Sequence, residues 1–241
     1  MKRPDARKTG DLRKIKITPG FMKFAEGSCL FEAGNTKVVC TASVEEGVPI
    51  FLRGKGTGWV TAEYGMLPRS CKTRVMREAQ RGKLGGRTQE IQRVIGRSLR
   101  AVVDLKALGE RTIWMDADVM QADGGTRCAS ITGCFIALAQ ALKKLRSENA
   151  FDRLPLLDYA AAISAGIVNG KQVLDLTYEE DSRASVDMNI IMTRKGKLIE
   201  VQGTAEGEPF SISEMNNLIE LAKKGMKNIF NIQKKILKLD I

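Results

Sequence analysis

Residues 121–127 read Gln121-Ala122-Asp123-Gly124-Gly125-Thr126-Arg127, and their two flanks set the class of fold. Upstream, Ile113, Met115, Ala117 and Val119 alternate with polar or large residues, the period of a strand with one face in a core. Downstream, from about Arg127 to Leu145, Ile131, Cys134, Phe135, Leu138 and Leu142 recur at helical spacing. That run is apolar nearly all round, which predicts a buried central helix. The seven residues are therefore a strand-to-helix junction. Its two glycines permit a tight turn and a close approach of backbone to a ligand. Thr126 brings a hydroxyl to the helix start, and Arg127 a fixed positive charge. Together with unpaired N–H groups and the positive end of the helix dipole, these converge on one point. The junction is either an anion site, with phosphate its natural occupant, or a plain turn with an N-cap and a surface arginine.

Outward from this junction, strands and helices continue to alternate. Val38 to Val44 is a compact apolar strand, and Gly20 to Phe31 contributes a hairpin before it. After Arg87 a helix is predicted from Ile91, Val94, Ile95, Val102 and Val103, with Arg93, Arg97 and Arg100 on a different stripe. The second half opens with an apolar run from Tyr159 to Val168, and Asn169-Gly170 marks a hairpin turn. Val186, Met188, Ile190 and Met192 alternate along a strand, and Arg194 to Lys197 turns into Leu198 to Thr204. Ser213 is expected to cap a final helix with Met215, Leu218, Ile219 and Ala222 inside. Each half reads as antiparallel strands followed by helix. The expectation is an α+β chain of one domain over residues 1–241, with lobes of about 1–150 and 151–241 joined by the polar loop Arg146 to Arg153. A loose duplication fits this order, without a convincing residue-level repeat.

Composition narrows the chemistry. The 241 residues carry a net charge of +11, which favours a polyanionic partner, nucleic acid first and an anionic membrane surface second. The longest uncharged stretch, Cys128 to Leu142, is short of a spanning helix, and Met1-Lys2-Arg3-Pro4-Asp5 has no apolar signal region. Cysteines 29, 40, 71, 128 and 134 form no Cys-x-x-Cys pair, as suits reduced thiols. A soluble, cytoplasmic protein with no membrane partner is expected. The chain holds no histidine. Ser-His-Asp and Cys-His nucleophile systems and His-ligated zinc are thereby excluded within it. Carboxylates, Lys, Arg, backbone amides and an oxygen-held hard metal remain, a set suited to phosphoryl or nucleotidyl transfer.

Two segments carry such groups. Between Met66 and Arg100 lie ten basic residues (Arg69, Lys72, Arg74, Arg77, Arg81, Lys83, Arg87, Arg93, Arg97, Arg100) against Glu78 and Glu90 alone. This is either a solvated face or, given the preponderance of arginine, a phosphate-contacting surface. The second segment runs from Tyr178 to Asp187. Asp187 stands near a strand start with its neighbours facing the core, and Asp181 lies in the loop before it. The two carboxylates can meet beside a sheet end, to hold magnesium or to hand a proton to a departing sugar hydroxyl, or they belong to an acidic surface loop. Asp116 and Asp118 share one side of their strand as a further possible pair.

Taken in order, Arg3-Pro4-Asp5-Ala6-Arg7, Glu26-Gly27-Ser28, Gly34-Asn35-Thr36-Lys37-Val38, Gly58 to Arg69, Gly86 to Arg93, Ala122 to Arg127 and Glu179-Glu180-Asp181-Ser182 resemble the ribonuclease PH family. These are phosphate-dependent 3′-to-5′ exoribonucleases that trim transfer RNA precursors and other RNA. The resemblance covers almost the whole chain. It implies a duplicated β-α fold related to a ribosomal-protein domain, assembled as a hexamer of three dimers. It implies that Arg87, Gly125, Thr126 and Arg127 bind phosphate, that Asp181 and Asp187 are catalytic and work with Mg2+, and that Arg69, Arg74 and Arg77 belong to a region linked to transfer RNA binding and ring assembly. Arg93 and Arg97, in the same basic segment, are expected to contact RNA as well. Departures are Ala6 for a usual glycine, Lys14 near a usual proline, Cys71 for threonine and Ala117 for cysteine; none falls on the phosphate or carboxylate positions. Cys71 sits inside the basic segment and could make it sensitive to oxidation.

The expected reaction is phosphorolysis of RNA by inorganic phosphate, releasing nucleoside diphosphates, with nucleotide addition as its reverse. Phosphate is already anionic at neutral pH, so no histidine base is required. Two other readings stay open: a non-catalytic RNA-binding ring subunit, and a hydrolytic nuclease releasing monophosphates.

Overall fold

The computed structural model describes residues 3–239 and 241, with the side chain of Arg81 excepted. Met1 and Lys2 of the opening, and the Arg81 side chain of the basic segment, lie outside the described residues.

Five strands form the first sheet: β1 (Ile15–Pro19), β2 (Gly27–Ala33), β3 (Thr36–Glu46), β4 (Trp59–Met66) and β5 (Arg111–Gln121), in the order β1-β2-β3-β5-β4. The expected hairpin before Val38 is β2–β3, while Gly20 to Glu26 is the turn between β1 and β2. All pairs are antiparallel except β4–β5. A parallel pair needs a crossover, supplied by α1 (Gly86–Arg100) and the short α2 (Leu105–Leu108). Ile113, Met115, Ala117 and Val119 are buried as their alternation predicted, and Ile91, Val94, Ile95 and Leu99 turn α1 toward the same core.

The second sheet is antiparallel, in the order β7-β6-β8-β9, from β6 (Ala160–Val168), β7 (Lys171–Leu174), β8 (Val186–Thr193) and β9 (Leu198–Ala205). Asn169 and Gly170 close β6–β7 with φ of 50° and 71°, the left-handed pair that a two-residue hairpin needs. Every residue of β6 is buried, because it packs against both long helices, α3 (Thr126–Ser147) and α5 (Ile212–Leu237). A short helix, α4 (Tyr178–Asp181), precedes β8.

Helix α3 runs between the two sheets, in contact with β2, β3 and β5 on one side and β6 on the other. Its backbone crosses β2 so closely that a Cβ on Gly27 would strike the Ala137 carbonyl. The helix is longer than the uncharged stretch within it, and by length and composition it could cross a membrane; 78% of its most apolar window is instead buried in the protein. Of the described helices it alone passes that test. One apolar cluster runs through both sheets and the helices between them.

The cap of α5 is Ser211 rather than Ser213. Ser211 and Glu214 form a reciprocal capping box, with Ser211 Oγ accepting from Glu214 N at 3.2 Å and Glu214 Oε2 accepting from Ser211 N at 2.7 Å. Ser213 already lies in the first turn, where its own N–H is among those a cap must serve. Leu218 and Ala222 are buried as expected, and the buried stripe continues through Met226, Ile229, Phe230 and Leu237.

Candidate active site

The turn between β5 and α3 sets the geometry. Gly124 and Gly125 have φ of +73° and +65°, and Gly125 is the N-cap, with no side chain to satisfy the helix start. The first bond back to the turn is Ala129 N to Gly125 O at 2.9 Å, so the N–H groups before it face outward, available to an anion. Thr126 is the first helical residue, not the cap. Its Oγ1 accepts from the buried Tyr64 hydroxyl at 3.0 Å. Arg127 Nη2 donates to Glu90 Oε2 at 2.7 Å, and the other Glu90 oxygen accepts from Gln202 Nε2 at 2.9 Å. This chain from α3 through α1 to β9 fixes the Arg127 plane and leaves Arg127 Nε buried without a partner among the described residues.

The turn is held from behind by buried ions. Arg13, 5% exposed, pairs with Asp175 at 2.7 Å while also donating to the Asp123 carbonyl. Arg3 is 2% exposed and grips both Glu180 oxygens, at 2.6 and 2.8 Å, and the Asp175 carbonyl at 3.0 Å. Buried charges are tolerable only when paired and fully hydrogen-bonded, as these are. The same Glu180 completes a capping box with Thr177 at the start of α4. Arg3 thus orients the one-turn helix that ends in Asp181.

Asp187 enters from β8, between Gly166 of β6 and Thr204 of β9. The Asp181 and Asp187 carboxyls are close enough to influence each other. Burial, then the neighbouring Asp181 charge, pushes Asp187 up to about 6, against the pull of Arg127 and Arg87. Asp181 is raised by burial too, offset by Arg87 and Arg127. Both arginines also act on the Tyr64 phenol, which burial raises. Arg87, Thr126, Arg127, Asp181 and Asp187 therefore share one small region, as the sequence reading required. Asp187 Oδ1, like Arg127 Nε, is buried without a partner among the described residues. These two groups of opposite charge, near enough to act on one another, suit a site that takes both an anion and a cation.

Among the described residues, no three metal-ligating side chains come together. Two carboxylates do not close a site for a protein-caged ion. They do suit magnesium, which keeps several waters and takes its remaining oxygens from phosphate.

Gly124 makes the two halves of the site contiguous. A Cβ there would lie 2.5 Å from the Leu176 carbonyl oxygen and 2.7 Å from the Thr177 carbonyl carbon, all backbone. Gly124→Ala should therefore destabilise the fold by about 3 kcal/mol, combining a left-handed alanine with a backbone clash. Urea unfolding measures this, and a loss below about 1 kcal/mol would show that the turn and the α4 loop can part without cost.

The basic residues divide. Arg69, Arg74, Arg77, Arg87 and Arg93 are exposed. Arg97, also exposed, pairs with Glu200 at 3.3 Å. Arg100 stacks on Trp59 with its guanidinium 4.2 Å from the ring centre and donates to the Val60 carbonyl at 2.6 Å, a packing role. Arg69 and Lys72 line a cleft of about 1180 Å³ together with Lys14, Asn35, Cys71 and Tyr178. Asp116 and Asp118 do not join the site: they lie on the outer face of β5, where Thr41 Oγ1 donates to Asp116 at 3.2 Å and burial raises Asp118.

Tyr64, Glu90, Arg3, Arg13 and Asp175 escaped the sequence reading. Each acts through a partner far away in the chain. The one local signal was Thr177-x-x-Glu180, a capping-box pattern in the sequence.

The first domain of the 3′ exoribonuclease family matches residues 11–144, and the second matches residues 158–225. A curated ribonuclease PH from Syntrophomonas wolfei is 57% identical over 237 residues, 98% of this chain and 99% of that protein. Among solved structures, rice (Oryza sativa) Rrp46 matches with a TM-score of 0.80 at 18% identity, over 98% of this chain and 100% of that one. The Archaeoglobus fulgidus exosome with RNA bound to the active site matches at 0.81 and 21%, over 95% of this chain and 92% of that one. At those identities the likeness is one of fold.

Proposed function

The chain belongs to the ribonuclease PH group of the 3′ exoribonuclease family, and we propose that the α3 turn holds its attacking phosphate and the Asp181–Asp187 pair serves the leaving group. The activity is phosphorolytic 3′-to-5′ RNA degradation. The observation that carries the site assignment is that Arg127 Nε and Asp187 Oδ1, both buried without a partner among the described residues, belong to side chains that act on one another.

Arg87, Arg127, the Thr126 hydroxyl and the amides at the start of α3 bind and orient inorganic phosphate against the last phosphodiester of the RNA. A phosphate oxygen forms a bond to that phosphorus, and the bond from phosphorus to the 3′-oxygen of the preceding nucleotide breaks. The products are a nucleoside diphosphate and an RNA one nucleotide shorter. The proton lost by hydrogen phosphate on attack must reach the departing 3′-oxygen. A carboxyl oxygen of the Asp181–Asp187 pair that is not engaged by metal can carry it. Mg2+ fits Asp181 and Asp187 and, when bound, would supply charge neutralisation at the scissile phosphate.

Exposed Arg69, Arg74, Arg77 and Arg93 are assigned to the RNA backbone, transfer RNA precursors being the proposed substrate; Arg97 contributes less directly because Glu200 already holds it. Assembly as a hexamer of three dimers and a cytoplasmic location complete the proposal. A non-catalytic ring subunit would have no use for the open Arg127 and Asp187 atoms.

One assay separates the readings. RNA incubated with phosphate and Mg2+ should yield nucleoside diphosphates, and omission of phosphate or addition of a chelator should stop the reaction. Monophosphates without phosphate would mean hydrolysis, and no product would mean a binding subunit.

A further inference from the structure

Tyr64 takes no part in the chemistry above, yet it stands directly beneath the anion site. It lies on the buried side of β4, 5% exposed, with its hydroxyl 3.0 Å from Thr126 Oγ1. The other side chains whose charge bears on that hydroxyl are Arg87, Arg127 and Cys71. A guanidinium only donates and a thiol accepts weakly, so Thr126 Oγ1 is the acceptor that the phenol has. A threonine hydroxyl owns one proton and two lone pairs. With a lone pair filled by Tyr64, the Thr126 proton must point elsewhere, and Thr126, 6% exposed, has little water to turn to. Thr126 and Arg127 are the first two residues of α3, so the anion turn is part of the immediate surroundings of that hydroxyl.

We propose that Tyr64 is a positioning residue for phosphorolysis: by donating to Thr126 it commits the Thr126 hydroxyl as a donor aimed at the attacking phosphate. Without the phenol, that hydroxyl is free to rotate and to accept a hydrogen bond, and a lone pair aimed at an anion repels it. The device sets the sign of a dipole before the ligand arrives, which is preorganisation without a charged group. Because the β-phosphate of a nucleoside diphosphate occupies the same place in the reverse reaction, both directions should feel it. The inference rests on the phosphate reading of the α3 turn.

Tyr64→Phe keeps the ring and its packing. It should raise the KM for inorganic phosphate about fivefold. The KM for nucleoside diphosphate in the reverse reaction should rise by a similar factor, while the KM for RNA and the kcat at saturating phosphate stay as in the parent. Thr126→Val should raise the phosphate KM as well, Thr126→Ser should not, and adding Tyr64→Phe to Thr126→Val should cause no further rise. An unchanged phosphate KM in Tyr64→Phe, parallel rises for RNA and phosphate, or additive effects in the double variant would each overturn the proposal. If Tyr64→Phe does not fold, Thr126→Val against Thr126→Ser decides: equal phosphate KM values in the two sink it. The underlying reading fails separately, when Arg127→Ala too leaves the phosphate KM untouched.

Discussion

Asp187→Asn should cut kcat by about a thousandfold, the middle of the range for loss of a positioned proton carrier, while phosphate and RNA still bind. The same change should make the protein more stable at neutral pH. Asp187 titrates near 6 in the fold against an ordinary value of 3.8. Between those two pH values the folded protein keeps a proton that the unfolded chain has released. Stability therefore falls as pH rises through this window, and the cost is complete above 6. Asparagine carries no such cost. Without divalent metal, the variant should exceed the parent by about 1–2 kcal/mol at pH 7.5, allowing for partial screening, and the gap should close below pH 4. Urea unfolding in chelator across that range measures it. Full turnover in Asp187→Asn would mean that the carboxylate is not used, and a stability gap independent of pH would mean that it is not strained.

Arg127→Ala should lower kcat/KM for phosphate by 10²–10³, about 3–4 kcal/mol of transition-state stabilisation. Glu90 holds the guanidinium through Nη2, and Arg127 Nε is buried without a partner among the described residues. Arg127→Lys should rescue little, since a lysine cannot bind Glu90 and an anion through one rigid plane. The measurement is initial rate against phosphate concentration, with RNA saturating. Unchanged phosphate dependence in Arg127→Ala would sink the assignment.

The fold was legible wherever apolar periodicity is strong: the β5–α3 junction and the Asn169-Gly170 hairpin stand where the residues put them, and α1 does too except that it ends at Arg100, leaving Val102 and Val103 buried just beyond it. The α5 cap was missed by two residues, because two serines offered themselves and only Ser211 has Glu214 three positions on. The site was legible as a set of parts. Glycines, Thr126, two arginines and two aspartates are chemical types that the sequence displays. That Arg87 and Arg127 act on the same carboxylates is a statement about distance, which spacing alone cannot make. Nor can spacing distinguish a basic residue that faces solvent from one that stacks, as Arg93 does from Arg100. Arg3 and Arg13 are among the chain's most buried ions, which a basic composition alone does not reveal. The position where the family resemblance implies glycine, Ala6, takes a left-handed φ of 62°, which supplies the physical reason for that preference.

The bonds from Arg3 to Asp175 and Glu180 span 172 and 177 residues of chain. On the ribosome this orders events in time. The α3 turn can form while synthesis is in progress, but the α4 loop is seated only when residues from the two far ends of that interval meet. Closing so long a loop is a slow, late step in folding. A nascent chain is thus expected to expose its basic, RNA-attracting surface before it owns a cutting centre, and to remain harmless to the messenger from which it is being read.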